Sequence, residues 1–257
     1  MAIEAKKTVL PTLAALQKQI DEAKPGATIH LGEGTLRGCL VIDKPLTLRG
    51  AGADRTVIDG WGKGPVIAVD ADSGEVRIEE LALAGGRAAG GGAVAIHNGA
   101  TVIITGCLLE KNSAKSGRGG AVAIDRGTLL IRESTLMDNR AQMGGAIWVG
   151  EDARAEITSS ILADNVAIRG GALAASGDAE LDVTTCRLER NRAEIDGHHL
   201  YLYGSPSRLP RAAFTNALLG PTDPSATAIA NAAPFRGSVV LEDTAVAREF
   251  MPSQLIG

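Results

Sequence analysis

An all-β solenoid is the fold class this 257-residue chain predicts, on three observations. Glycine is abundant at 32 residues while aromatics are 3%, so many tight turns must separate short strands around a core of Val, Ile, Leu and Ala. Those glycines do not fall at every third position, which excludes collagen. Next, Asn112, Asn139, Asn165 and Asn191 stand 27, 26 and 26 residues apart. Finally, an apolar ladder keeps that register. Eight residues before each Asn stand Ile104, Ile131, Ile157 and Val183; three before stand Leu109, Leu136, Leu162 and Leu188. Ala114, Ala141, Ala167 and Ala193 follow each Asn by two, and a degenerate earlier copy puts Gly86 in the Asn place. A unit of about 26 residues has no room for a helix. It holds roughly three short strands and three turns, one coil of a parallel β-helix. Coils stacked at ~4.8 Å set like residues above like.

The elements follow in order within a single domain, 1–257. Leu13, Leu16, Ile20 and Ala23 have helical spacing, with Pro11-Thr12 as a start and Pro25-Gly26 as a stop, so 10–24 is an amphipathic helix capping the open end of the bore. Residues 27–203 are coils, beginning with Ala27-Thr28-Ile29-His30-Leu31 and the strands near Cys39–Asp43, Leu46–Leu48 and Thr56–Asp59. Pro206, Pro210, Pro221 and Pro224 mark 204–237 as an irregular excursion, and 238–250 returns as the last coil. Roughly eight coils give a rod about 40 Å long.

Composition excludes several classes. No apolar run approaches the ~20 residues a membrane helix needs. A net charge of −4 argues against nucleic acid as a bulk partner. The first residues lead into no signal-type apolar stretch, so the expectation is cytoplasmic, or exported without a standard signal peptide. Cys39, Cys107 and Cys186 give no disulfide framework; Cys107 and Cys186 share a repeat position three coils apart, too far to bridge. The Asn ladder is expected to be structural, each amide bonding backbone and the amides above and below.

The stretch AKPGATIHLGEGTLRGCLVIDKPLTLRGAGADRTVIDG resembles the first coils of the right-handed parallel β-helix, pectate-lyase-like superfamily. The repeated LxxNxAxxxGGA is similar to coils of bacterial repeat proteins of that group, including polymorphic outer-membrane proteins. The resemblance spans residues 10–250 and implies a right-handed fold. It implies no single activity, because the superfamily mixes lyases, hydrolases, epimerases, tailspikes and inert scaffolds. Its lyases imply clustered carboxylates for calcium with an Arg base; its hydrolases imply paired Asp with Gly-His-Gly; related epimerases imply Asp-Pro-His-Asp. Gly197-His198-His199 is the nearest approach to Gly-His-Gly, without an Asp pair, and reads as a degenerate Gly-led turn. No Asp-Pro-His-Asp occurs. Glu156 and Asp182, in adjacent coils with Glu180 nearby, are the best acidic cluster and the candidate metal ligands; otherwise no metal and no cofactor is expected. No repeat position shows three charged residues in adjacent coils, and this weighs against an enzyme.

The strands after each Gly-Gly step are the candidate surface. With the larger aliphatics inward, alternation turns Ala93 and Ala95, Ala121 and Ala123, Ala146 and Trp148, Ala172 and Ala174 outward. Such a flat, uncharged face is made to be covered. The cover is the 204–237 segment, a protein partner or second copy, or a glycan stacked on Trp148 with His97 and Asp125 beside it. The binding residues are therefore Trp148, Ala95, Ala123, Ala146, Ala174, His97 and Asp125. The leading reading is a non-catalytic scaffold or binding module using this face. The alternatives are a carbohydrate-active enzyme, a polysaccharide lyase or hydrolase on acidic glycans, and a subunit of a tail-like or appendage assembly.

Overall fold

The computed structural model describes residues 10–72, 74–204, 208–220, 229–231, 238–242 and 244–246. The chain winds as a parallel β-helix. Sheets 1 and 2 have nine strands each, sheet 3 has eight, and a short sheet 4 has four. One coil illustrates the path: Gly127–Arg132 in sheet 1, Thr135–Met137 in sheet 2, Arg140–Met143 in sheet 4, Ile147–Val149 in sheet 3. The strand pairings are parallel, each joining a coil to its neighbours.

The ladder seen in the sequence is the register of the sheets. In sheet 1, Ile104 pairs with Ile131, Ile131 with Ile157, and Ile157 with Val183. In sheet 2, Leu109, Leu136, Leu162 and Leu188 follow one another. All eight lie fully buried in one continuous core. Phe214, also fully buried, is the largest side chain in that core, so aliphatic stacks fill the bore.

Two corners of each coil need left-handed backbone. The residue before each ladder Asn has positive φ: Lys111, Asp138, Asp164 and Arg190 lie between 50° and 56°. So does the corner between sheets 1 and 2, at Glu80, Gly106, Glu133, Ser159 and Thr185. Thr185, β-branched at φ 55°, is held there by its neighbours in the stack.

The helix runs Leu13–Glu22, within the predicted 10–24. Thr12 caps it, its Oγ1 accepting from the Ala15 N–H at 3.2 Å, and Leu16 and Ile20 plug the bore with no exposed surface. Gln17 covers the edge strand Leu40–Ile42. Its Nε2 donates to Val41 O and its Oε1 accepts from Val41 N–H, both at 2.9 Å, as a further strand would.

The other end departs from expectation. The described part of 204–237 is not an excursion: Arg211–Thr215 joins sheet 1, Leu218–Leu219 joins sheet 2 and Ile229–Asn231 joins sheet 3. Phe214 sits beside Val183 and Leu219 beside Leu188, so this stretch is a further coil that kept the core positions and lost the Asn. Prolines obscured it in the sequence. Of these, Pro210 precedes the sheet 1 strand, while Pro206, Pro221 and Pro224 lie outside the described residues, as does 247–250 of the last coil. Ser238–Glu242 and Ala245–Val246 extend sheets 1 and 2.

Candidate functional site

The Asn ladder is a buried scaffold. In each step the Oδ1 of one Asn accepts from the backbone N–H and the Nδ2 of the Asn one coil earlier: Asn139 from Asn112, Asn165 from Asn139, Asn191 from Asn165, at 2.9–3.1 Å. The same Nδ2 groups also donate to Leu83, Leu109 and Leu136 carbonyls. Gly86, in the degenerate Asn place, donates its N–H to Asn112 Oδ1. Where the Asn pattern stops, His199 closes the ladder, its Nδ1 3.4 Å from Asn191 Nδ2 and its Nε2 3.0 Å from Gly220 O. His198 and His199 are both buried, which places them inside the coil stack. Cys107 and Cys186 are free, buried thiols whose pKa values burial pushes up to about 12 and about 11, as befits inert core residues.

The outer face of sheet 3 is not open. Trp148 and Ala174 have no exposed surface, and Ala95 and Ala123 have almost none. Ala146 does not belong to this face. The strand begins at Ile147, and Ala146, with Ala93, Ala121 and Ala172, turns into the core at the end of the Gly-Gly step. The cover comes from the chain's own side chains, and Ala230 of the 204–237 segment offered as a cover joins the same face. Ala123, Trp148, Ala174, Tyr201 and Ala230 form a second apolar cluster with Met143 and Tyr203 against it. The Arg118 guanidinium lies 4.5 Å from the Trp148 ring centre and Tyr203 lies 5.7 Å from it. Trp148 is thus already stacked and offers no bare ring to a sugar. His97 and Asp125 are exposed at the mouth of a cleft of about 330 Å³ whose walls also include Ala95, Ala123, Trp148 and Arg118. Of the seven residues expected to bind, the cleft gathers five; Ala146 and Ala174 are elsewhere.

The outer face of sheet 1 carries the charge. Arg154 lies beside Glu180, and Glu180 beside Arg211, in successive coils. One step along, Glu156 lies beside Asp182. The Arg154 guanidinium reaches all three carboxylates: Nε to Glu156 at 3.0 Å, Nη1 to Glu180 at 2.9 Å and Nη2 to Asp182 at 2.9 Å. The hydrogen bond to Glu156, with the charges of the other two carboxylates, raises the pKa of Arg154. Arg211 stands 3.6 Å from Glu180 on its other side and remains mostly in solvent. These groups border a depression of about 280 Å³ over Leu181, Ala212 and Ala213.

Two expectations are corrected here. Glu156 and Asp182 are held by a guanidinium where a cation would sit, and no group of three His, Cys, Asp or Glu among the described residues can hold a metal ion. A repeat position does carry three charged residues in adjacent coils. The signal was present eleven residues before Asn165 and Asn191, where Arg154 and Glu180 stand. Arg211 was hidden because its coil has no ladder Asn to count from.

No family model matches the chain, and no curated protein is similar to it in sequence. Among solved structures, it is similar to a pectin methylesterase variant in complex with a hexasaccharide, at 10% identity and a TM-score of 0.57, over 99% of this chain and 93% of that one. It is similar also to the deglycosylated pectin methylesterase of Aspergillus niger, at 14% identity and a TM-score of 0.54, over 98% and 90% of the two chains. An alginate lyase from a Paenibacillus species aligns at 15% identity with a TM-score of 0.46, over 93% and 100%. The pectin methylesterases share the fold, a right-handed parallel β-helix, over nearly the whole chain.

Proposed function

We propose that the chain is a carbohydrate-active protein that engages an acidic glycan across the outer face of sheet 1. One observation carries the reading: Arg154, Glu180 and Arg211 stack at one position of three successive coils, with Glu156 and Asp182 one step along. A stack of coils spaced ~4.8 Å apart offers a linear polymer a row of side chains in register along the rod. Arg211, loosely held by Glu180, suits a sugar carboxylate; a guanidinium binds that group with two parallel N–H donors. Asp182, Glu180 and Glu156 are acceptors for hydroxyls. In a closed complex, a pair of them has the chemistry of a general base and a general acid. The name pectin methylesterase, and the hexasaccharide in one of those structures, support a glycan as ligand.

The scaffold reading loses its motive, since the alanine face that suggested it is covered from within. The test uses polygalacturonate, methylated pectin and alginate. Reducing ends, unsaturated product at its ultraviolet band and released methanol distinguish hydrolysis, elimination and ester cleavage. Product is expected from one of them, falling roughly 10²–10⁴-fold in Asp182→Asn. Arg154→Ala, which frees three carboxylates into mutual repulsion, should fall with it. Absence of product and of retarded migration through gels containing each polymer would reject the reading.

A further inference from the structure

We propose that the outer face of sheet 4 docks the chain on an anionic lipid surface. The proposal rests on where the cations of this face stand, on their having no acidic partners, and on what lies between them.

Sheet 4 comprises Ser113–Arg118, Arg140–Met143, Val166–Arg169 and Arg192–Asp196. One register row runs Arg87, Ser113, Arg140, Val166 and Arg192; a second runs Gly90, Arg118, Met143, Arg169 and Asp196. Five successive coils thus contribute one arginine each, alternately on the two rows, and Lys115 stands in the strand between them. Arginines on the same row are two coils, about 10 Å, apart. Glu194 and Asp196, in the last of these strands, are the acidic residues of the sheet. The whole chain has a net charge of −4, so this face runs against the overall balance.

None of the six cations forms an ion pair among the described residues, whereas Arg49, Arg154 and Arg190 on other parts of the rod are engaged by carboxylates. Arg118 lies over the Trp148 ring and Arg169 over that of Tyr201. Stacking of this kind fixes a guanidinium without neutralising it.

Apolar side chains lie between the cations. Val166 and Ile168, with Lys115 and Arg140, border a depression of about 320 Å³ over Ala141 and Ala167. Ile195 is 48% exposed. A nucleic-acid backbone would engage the cations and leave these groups in water. Single strands also use bare rings to stack their bases, and the two rings beside this sheet lie under Arg118 and Arg169. A linear polyanion running along the rod would follow one row and miss the other. A layer of anionic headgroups meets both rows at once and takes up the apolar side chains in the same contact. The coil path sets sheet 4 between sheets 2 and 3, so a rod held this way leaves the sheet 1 face open, and neither reading depends on the other.

Co-sedimentation with vesicles is the test. Vesicles of phosphatidylcholine mixed with an equal part of phosphatidylglycerol should carry the chain down, and pure phosphatidylcholine should not. In 1 M NaCl, where the screening length falls to about 3 Å, the chain should be released. Each of Arg87→Gln, Arg140→Gln and Arg192→Gln should weaken partition roughly fivefold, with the factors multiplying in the triple variant. These three side chains are exposed and outside any ion pair among the described residues, so melting temperatures should stay unchanged. Ile195→Ser should also weaken partition, which a purely electrostatic contact would not show. Arg132→Gln removes an exposed cation from sheet 1 and should leave partition as it was. No partition onto the anionic vesicles, an equal loss in Arg132→Gln, or indifference to Ile195→Ser would overturn the proposal. Retention by a DNA duplex with the same dependence on the three arginines, and without vesicle binding, would overturn it in favour of nucleic acid.

Discussion

His199 shows how one residue converts a repeat into a pH-dependent fold. The imidazole is fully buried, and burial, assisted by the neighbouring His198, pushes its pKa down to about 4. Its two contacts specify the neutral form. Nε2–H donates to Gly220 O, and Nδ1 accepts from Asn191 Nδ2–H. A second proton would place N–H against N–H at the end of the Asn ladder. Because the folded pKa lies below the ordinary value of about 6.5, this contribution is complete above pH 6.5 and is lost as pH falls from 6.5 towards 4. The loss is on the order of 3 kcal/mol at its limit. Urea midpoints at pH 7.5 and pH 4.5 check this. The wild type should lose more stability between them than His199→Gln, whose amide can donate to Gly220 and accept from Asn191 at both pH values. Equal losses would show that carboxylates alone set the acid sensitivity. The sequence exposed these histidines as a possible motif, but their role depends on contacts with Asn191 and Gly220, 8 and 21 residues away.

At the scale of the element, the helix Leu13–Glu22 does two jobs of different legibility. Its apolar stripe, Leu16 and Ile20, was readable because helical spacing is a one-dimensional signal. Its protection of the sheet was not, since nothing local marks Gln17 as the residue that closes strand Leu40–Ile42. With Gln17→Ala, the Val41 N–H and C=O lose their partners and the strand gains an open edge. Val41 is exposed, so water can replace part of the loss, and the stability cost should be modest, about 1 kcal/mol. The larger effect should be in association. Sedimentation at increasing concentration should show Gln17→Ala forming dimers or larger species where the wild type does not, and a variant that stays like wild type would show that the helix body alone shields the edge. The same contrast holds for the candidate sites. Register made Glu156 and Asp182 neighbours on paper, yet it could not show that Arg154 lies between them. Alternation found Ala95, Ala123 and Trp148, but misplaced Ala146, because a strand of three residues starts one position later than the pattern suggests.

Over the whole molecule, stability should be nearly a sum over coils and the interfaces between adjacent ones, because strands pair with the coil before and the coil after. Such an array unfolds as one unit only while every interface couples its neighbours strongly. The Asn ladder is one buried polar part of that coupling, between Gly86 and His199, beside the shorter ladder in which Ser134 and Ser160 accept from the backbone of the coil before, and Asn165 sits within it. Its Oδ1 accepts from the Asn139 N–H and Nδ2, and its Nδ2 donates to Leu136 O and Asn191 Oδ1. Asn165→Asp keeps the two acceptor contacts but sets a carboxylate oxygen against Leu136 O and Asn191 Oδ1, in a site with no exposed surface. The cost should exceed the ~1–3 kcal/mol of one unsatisfied buried group. Its form is as telling as its size. A weakened interior interface lets the coils on either side melt separately, so the urea transition should broaden and its m-value fall, where a cavity in a globular core would shift the midpoint at constant m. Hydrogen exchange should then place the new opening at the Asn139 amide, whose acceptor is residue 165, before the coils at either end. An unchanged m-value with a shifted midpoint would mean that the apolar stacks of Ile131 on Ile157 and Leu136 on Leu162 hold the coils together without the ladder.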